Sequence, residues 1–508
     1  MGNHHSRRST KSEESGPNSL ASSHNGSRRS IPNTSSGNDI QEKPVNQMLP
    51  VEKLATILAQ KTQAESKIKG VTKTVFFRYL FPKYPLLADK LFKYFLDHAN
   101  IKTDYLPVDI FRTQCERYLS ILDDDIVRDT FVKMWSTFDE EKDVYIITSE
   151  SFNSLLMCAY HVSMDHYSEG PQMCLSISKT LKAVVDGCFY QKSSLSSQYV
   201  SHWLADNAAR LLLPLHRYAV HSIATAWRTI DQNEQPESTG VSDTLALGSA
   251  GLELSTPVLE QSGPFGQGKA PHPHLLTMSM SWLLACALPP LYSRPQRASS
   301  PNNSATGISS LSFLSKIACA IPSHWTMIYD SDEHGLGCNR FLHHVLGYKS
   351  PTLVIFKVED NQKFCVCSPC EWKESHHYWG GEGSAIFQLL PKFQLLEKGS
   401  KLLYLNTTVR GYAQGLRAGS DPRAPVITVD IGFEKIEWKK IPYQIETIEV
   451  WGCGDYIERE KQLEVKKWEV KEAERQRVVK LSADDWLDHP DRYLLELAGR
   501  PQYHQNQT

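Results

Sequence analysis

The chain has 508 residues, room for roughly two to four domains, and its 41% hydrophobic and 22% charged residues are an ordinary globular composition. A formal net charge of −2 supplies no one-signed field to steer the protein toward phosphates, which argues against nucleic acid as a partner. Its 11 cysteines are scattered and no apolar leader opens the chain, so reduced cytosolic thiols are expected and not a disulfide framework.

Met1-Gly2-Asn3-His4-His5-Ser6 fits the N-myristoylation pattern, with Gly2 as acceptor once Met1 is removed. Residues 1–47 are dominated by Ser, Asn, Gly and Pro without apolar periodicity, and read as a disordered tail that leaves Gly2 accessible. One acyl chain binds membranes only marginally, so a second contact is needed; Arg7, Arg8 and Lys11 form a weak basic patch, with Arg28 and Arg29 later in the tail. Each arginine pair precedes a serine, which makes Ser9 and Ser30 candidate phosphorylation sites whose added charge would cancel the local positive charge.

Helix-length apolar patterns then follow one another: from Pro50 to a stop at Gly70, Pro85 to Ala99, Val108 to Leu122, Val127 to Phe138, Phe152 to Val162, Leu175 to Phe189, and Ser196 to Ile223 with a kink or break at Pro214. Residues 48–230 are expected to form an all-helical domain. A Gly, Ser and Pro-rich stretch, 231–274, reads as a flexible linker. Leu275 to Tyr292 is uncharged but short and diluted by serines, which favours a buried amphipathic helix over a membrane span. Residues 293–310 read as an exposed insertion loop. From Trp325 the pattern turns to short strands around Trp325–Tyr329, Pro351–Val358, Phe364–Cys367, Ser384–Leu389, Leu402–Leu405, Val426–Ile431 and Ile448–Trp451, with one helix from Cys338 to Leu346. Beyond Gly454 a charged helix runs through Lys480, Ser482 opens a capping box, and Pro490 starts a last helix ended by Gly499.

Four patterns invite a chemical reading. Gly263 to Lys269 has the spacing of a phosphate loop, but Ala270 replaces the magnesium-binding hydroxyl and Pro271-His272-Pro273 prevents the following helix, so nucleotide binding is not expected. Cys365, Cys367 and Cys370 with His376 and His377 resemble a zinc set by composition. Cys365 and Cys367 share one face of a strand, however, and a core packed with small thiols is the simpler reading. Asp139, Glu141, Asp143 and Glu150 fall at positions one, three, five and twelve of a calcium loop, forming a degenerate EF-hand-like pair with an upstream loop at Asp97–Asp109. Val144 stands where the turn glycine belongs, so calcium binding is expected to be weak or absent. No Gly-x-Ser-x-Gly elbow is present, and Glu382 has no identifiable catalytic partner. No catalytic residue and no metal site is assigned.

The C-terminal half then becomes recognisable as a set. His334-Gly335-Leu336, Asn339-Arg340-Phe341, the strand Thr352 to Val358, Phe364 to Trp372, Gly380-Gly381-Glu382-Gly383-Ser384-Ala385-Ile386-Phe387 and Glu449-Val450-Trp451-Gly452 together resemble a TLDc domain over about residues 280–455. The resemblance implies an α+β chain. Its parts are a helical EF-hand-like domain at 48–230, a TLDc β-sandwich with flanking helices at 275–454, and a helical extension at 455–508. It carries over Gly381, Glu382, Glu449, Trp451 and Gly452 as family-motif positions, with a structural turn role for Gly381 and Glu382. Where many members have a long glycine run, this chain has Gly411 to Gly419 interrupted by larger residues. The resemblance further implies a non-enzymatic adaptor or regulator, cytoplasmic and peripheral on lysosomal or other endomembranes or the plasma membrane. Vacuolar proton pump (V-ATPase) subunits, mTOR signalling components and the membrane surface are its implied partners, oxidative stress its implied setting and covalent myristate its sole expected attached group. The alternatives are a calcium-responsive sensor, or a stress-related enzyme using Glu382 or the Cys365, Cys367 and Cys370 group.

Overall fold

The computed structural model describes residues 50–164, 176–232, 274–293, 325–454, 456–477, 494 and 497–498. Gly2, Ser9, Ser30, the Gly263–Lys269 motif, the insertion loop from residue 294 and the capping box at Ser482 lie outside these residues.

The N-terminal part is built from four helix–strand–helix units. They are α1 (Pro50–Ser66), β1 (Val71–Thr72) and α2 (Lys73–Leu80); α3 (Pro85–His98), β2 (Tyr105–Leu106) and α4 (Val108–Leu119); α5 (Asp124–Met134), β3 (Thr137–Asp139), β4 (Val144–Thr148) and α6 (Ser149–Met164); and α7 (Ile177–Phe189), β5 (Ser194–Ser196) and α8 (Ser197–Asn207). The expected all-helical domain therefore contains short strands, too brief for alternation to register. The units join in pairs through them, β1 with β2 and β4 with β5. This corrects the expected pairing. The loop after Asp97 pairs with the segment after α1, and the loop after Asp139 pairs downstream at Ser194–Ser196.

Local chemistry explains the entries into α6 and α8. Thr148 Oγ1 accepts the Ser151 N–H and Ser196 Oγ accepts the Tyr199 N–H, so each strand ends on a hydroxyl that caps the helix it feeds. The expected helix to Phe138 stops at Met134 because Thr137–Asp139 is drawn into a hairpin with β4. The segment from Ser196 to Ile223 is divided and not kinked: α8 ends at Asn207 and a new helix starts at Leu213, beside Pro214. Pro214 occupies the first turn of α9 (Leu213–Gln232), where its missing N–H is unneeded.

The C-terminal part is antiparallel throughout. Its strands are β6 (Thr326–Asp330), β7 (Thr352–Val358), β8 (Gln362–Ser368), β9 (Ser375–Trp379), β10 (Ala385–Leu390), β11 (Gln394–Lys398), β12 (Leu403–Asn406), β13 (Gly415–Ala418), β14 (Ile427–Val429), β15 (Lys435–Trp438) and β16 (Ile441–Gly452). The order is β11-β10-β8-β7-β16-β15-β14-β13-β12-β9, with β6 on the other side of β16. The twelve-residue β16 serves both halves: Ile441–Gln444 pairs with β15, and Ile445–Gly452 pairs with β7. Val354, Phe356, Phe364, Val366 and Ile386 from one half meet Leu403, Leu405, Leu416, Val429 and Ile436 from the other in a shared core, which makes the arrangement a sandwich.

The alternate residues of the first half face elsewhere. Leu353, Ile355, Cys365, Cys367, Phe387 and Trp451 join the core of the helical part. That is why β7 and β8 read as almost unbroken apolar runs, as strands covered on both faces must.

Between the two parts lies α10 (Met278–Ala287), buried on every side from Met278 to Cys286, followed by the single turn α11 (Pro290–Ser293). A one-sided amphipathic helix is thus replaced by one enclosed all round. Trp282 packs edge-on to Tyr160 of α6 at 5.2 Å, and Ser279 shares hydrogen bonds with Ser176 and Thr180 at the start of α7. Burying an aromatic of this size stabilises by about 2–3 kcal/mol. The backbone itself crosses the junction, with Phe393 N donating to the Ala183 carbonyl at 2.8 Å and Leu395 N to Asn207 Oδ1 at 2.7 Å. Residues 50–230 and the sandwich consequently share one continuous core, where the sequence suggested separate domains. Among the described residues no helix is long and apolar enough to cross a membrane.

Candidate functional site

Two features of the sandwich gather polar groups from distant parts of the chain. The first is centred on Glu449 of β16, which is 2% exposed. Its Oε1 accepts the Leu275 N–H at 2.6 Å; its Oε2 accepts the Leu276 N–H at 3.2 Å and Trp451 Nε1 at 2.9 Å. The β-strand period places Glu449 and Trp451 on the same face, so the indole N–H reaches the carboxylate two residues back. His274 Nδ1 stands 3.5 Å from Oε1, with its ring edge-on to Trp451. Lys363 of β8 donates to the Leu275 carbonyl at 2.8 Å, and burial holds its ammonium down at about 8 despite the opposing pull of Glu449. Burial also raises the Asp330 carboxyl above its usual range; Asp332 N–H opposes this, Glu449 adds to it and His274 opposes it. A buried carboxylate needs such partners. The result clasps the residues leading into α10 to the sheet.

Gly452 continues the motif for a steric reason. A side-chain carbon there would stand 2.5 Å from the Tyr348 ring, whose hydroxyl accepts the Gly454 N–H at 2.9 Å.

The second feature is the seat of α14 (Tyr456–Arg477) on α13 (Cys338–Val345). The last carbonyls of α13 have no partner within their own helix. Gln462, 2% exposed, supplies one: its Nε2 donates to the His344 carbonyl at 3.0 Å and the Leu346 carbonyl at 2.8 Å. Lys466 donates to the His343 carbonyl and Arg459 to that of Ile328 at 3.3 Å, so three residues about one turn apart fasten one stripe of α14. Lys466 is a cation at the C-terminus of α13, where the dipole favours it, whereas Arg459 fastens α14 to β6. Beneath them His344 packs on His334 at 4.0 Å, after the short helix α12 (Ser331–His334). Burial, then His334, His343, Lys466 and Arg459, push the His344 imidazole down to about 4. Away from this stripe, Val465, Trp468 and Val470 are 51%, 64% and 54% exposed.

The other sequence candidates do not converge. Asp139 turns back on its own hairpin, accepting the Glu141 N–H at 3.1 Å and facing Lys142 at 3.4 Å. Asp143 adopts the left-handed conformation that was expected of position 144, and Glu150 is exposed in the first turn of α6. Cys365 and Cys367 lie 3.6 Å apart in the core, where burial pushes the Cys367 thiol well above its ordinary range, whereas Cys370 is exposed. His376 packs against Tyr412 on β9. Glu382 is exposed at the tip of a turn closed by Ser384, whose N–H donates to the Gly381 carbonyl at 2.8 Å and whose Oγ accepts the Gly381 N–H at 3.1 Å. Tyr292 donates to the Gly383 carbonyl at 3.0 Å from below. Two open hollows of about 340 and 370 Å³ share Tyr190 in their walls. Burial pushes the thiol of Cys188, in the first, up to about 12 and keeps it protonated.

The sequence pointed to Glu449, Trp451 and Gly452 but missed His274, Asp330, Lys363 and Gln462. The signal available for Gln462 was a lone amide at helical spacing from Arg459 and Lys466.

An antiparallel sandwich with one long shared strand, flanking helices and a buried Glu-x-Trp-Gly corner defines the class. Residues 302–454 match the family model described as the TLDc domain, and the chain carries a TLDc domain across that span. Similar proteins include two fungal ones, both named "Restriction of telomere capping protein 5". The Colletotrichum graminicola protein is 46% identical over 57 residues, 11% of this chain and 9% of that protein. The Neurospora crassa protein is 23% identical over 272 residues, 38% of this chain and 45% of that protein. The chain thus spans less than half the length of either relative.

Proposed function

We propose that this protein is a non-enzymatic adaptor that carries a TLDc domain to a membrane surface and presents it, with α14, to a protein complex. The TLDc match and the relatives' names speak for a regulatory or stress-related role. The observation that carries the adaptor reading is α14 itself, fastened along one stripe by Arg459, Gln462 and Lys466 while Trp468 projects into solvent. An exposed tryptophan on a helix seated by polar bonds is an anchor shape for a partner surface. Glu382 and Cys370 are exposed at a turn, while Cys365 and Cys367 are sealed in the core with burial pushing the Cys367 thiol well above its ordinary range, which supports binding over catalysis as the use of the fold.

In this reading myristate on Gly2 and the basic residues Arg7 and Arg8 supply the membrane contact, with lysosomal membranes as its site. V-ATPase subunits and mTOR signalling components are the proposed partners, and oxidative stress the proposed setting. Metabolic labelling with a myristate analogue, followed by lysosomal fractionation of the wild type and Gly2→Ala, tests the membrane half. The wild type should be labelled and sediment with lysosomes while the variant does neither; equal labelling overturns it.

A further inference from the structure

Asp330 at the end of β6 and Glu449 of β16 are direct cross-strand partners. Two carboxylates opposed at that register repel one another. Glu449 is also almost wholly buried, where a charge needs close compensation. Lys363 adds positive charge beside Glu449, but its hydrogen bond goes to the Leu275 carbonyl. A cation held between the two carboxylates would relieve both costs, and an imidazole stands at the same point.

We propose that His274, Asp330 and Glu449 form a divalent-metal site, best matched to zinc. Their ligand atoms all lie within 4.8 Å of one another. Zinc ligands at about 2.0–2.2 Å from the ion stand roughly 3.3–3.6 Å apart in a tetrahedron. His274 Nδ1 and Glu449 Oε1, at 3.5 Å, already have that spacing, so closing the site requires movement of little more than an ångström by Asp330. One imidazole and two carboxylates are a borderline-to-hard donor set, suited to zinc and, less selectively, to manganese or iron. Glu449 is already oriented by the N–H groups of Leu275, Leu276 and Trp451, the outer hydrogen bonding that metal-binding carboxylates use. His274 and Asp330 are only partly buried, which leaves water a route to the fourth position. The ion would tie residue 274 to β6 and β16 together, a structural role independent of the adaptor reading.

The test uses the full chain, stripped with a chelator and titrated with zinc alone against a chromophoric competitor, beside His274→Ala and Asp330→Asn. One equivalent should bind to the wild type, each variant should bind at least tenfold more weakly, and zinc should raise the melting temperature of the wild type only. Circular dichroism of the stripped variants checks that they remain folded. Failure of the wild type to bind overturns the proposal, and so does equal binding by both variants, which would place the ion elsewhere. Should either variant unfold, Glu449→Gln takes its place under the same criteria.

Discussion

The Glu449 carboxylate holds the Leu275 amide at 2.6 Å, a hydrogen bond that closes 174 residues of sequence. Because Oε2 also accepts Leu276 N–H and Trp451 Nε1, deleting the carboxylate strands three buried donors at once. Glu449→Ala is expected to cost about 3–5 kcal/mol, the range for breaking a buried charge network from one side. Urea unfolding of the full chain measures it. A loss below about 1 kcal/mol would mean that the clasp is solvated in solution.

Gly187 on α7 tests the junction between helices and sandwich. A side-chain carbon there would stand 2.1 Å from the Phe393 carbonyl oxygen, and its nearest neighbours are all backbone atoms of Phe393. Gly187→Ala raises intrinsic helix propensity by about 1 kcal/mol, whereas overpacking costs about 1–3 kcal/mol. Net destabilisation in a denaturant titration is expected. A stabilised variant would show that Phe393 does not rest on α7.

The seat of α14 is expected to be local in its energetics. Gln462→Ala leaves the carbonyls of His344 and Leu346, at the end of α13, without their amide, at a cost of about 1–3 kcal/mol. Amide hydrogen exchange should accelerate across residues 456–477 while β7 and β16 stay protected. Unchanged exchange would place the fastening elsewhere.

Acid should loosen the same seat. His344 is held down at about 4 by burial first and then by His334, His343, Lys466 and Arg459, whereas an unfolded histidine titrates near 6.5. The unfolded chain therefore binds more protons between those values. The stability in question is complete above about pH 6.5 and lost as pH falls toward 4. Thermal melts between pH 7 and pH 5 should fall less steeply for His344→Gln than for the wild type; parallel slopes would contradict this.

Much of the architecture was legible in residue patterns, and what escaped did so for physical reasons. Helices α3, α4 and α7 announce themselves by apolar spacing, and β7 and β10 by runs of branched and aromatic residues. The strands β9, β11, β13 and β15 were missed. Ser375–Trp379 carries two histidines and Lys435–Trp438 alternates charge with Ile436, so their membership comes from neighbours and not from their own pattern. The pairing of β4 with β5 was hidden because β5, with three residues, has no period to read. Residue patterns also separated the helical part from the sandwich, since Leu353, Cys365 and Phe387 look like ordinary strand residues, although they share one core with the apolar residues of the helices. Within the candidate site Glu449 and Trp451 were legible as a motif. Their partners His274 and Lys363 were not, because a contact across that many residues leaves no local trace.

Affinity capture from detergent-solubilised lysosomal membranes tests whether Trp468 on α14 is the proposed anchor for a partner complex. The full chain and its Trp468→Ala variant serve as baits, with V-ATPase subunits and mTOR components quantified. Trp468 is 64% exposed, so its truncation should leave the melting temperature unchanged. Capture of the proton-pump subunits should fall at least tenfold. Equal capture by the two baits would show that Trp468 is not the anchor.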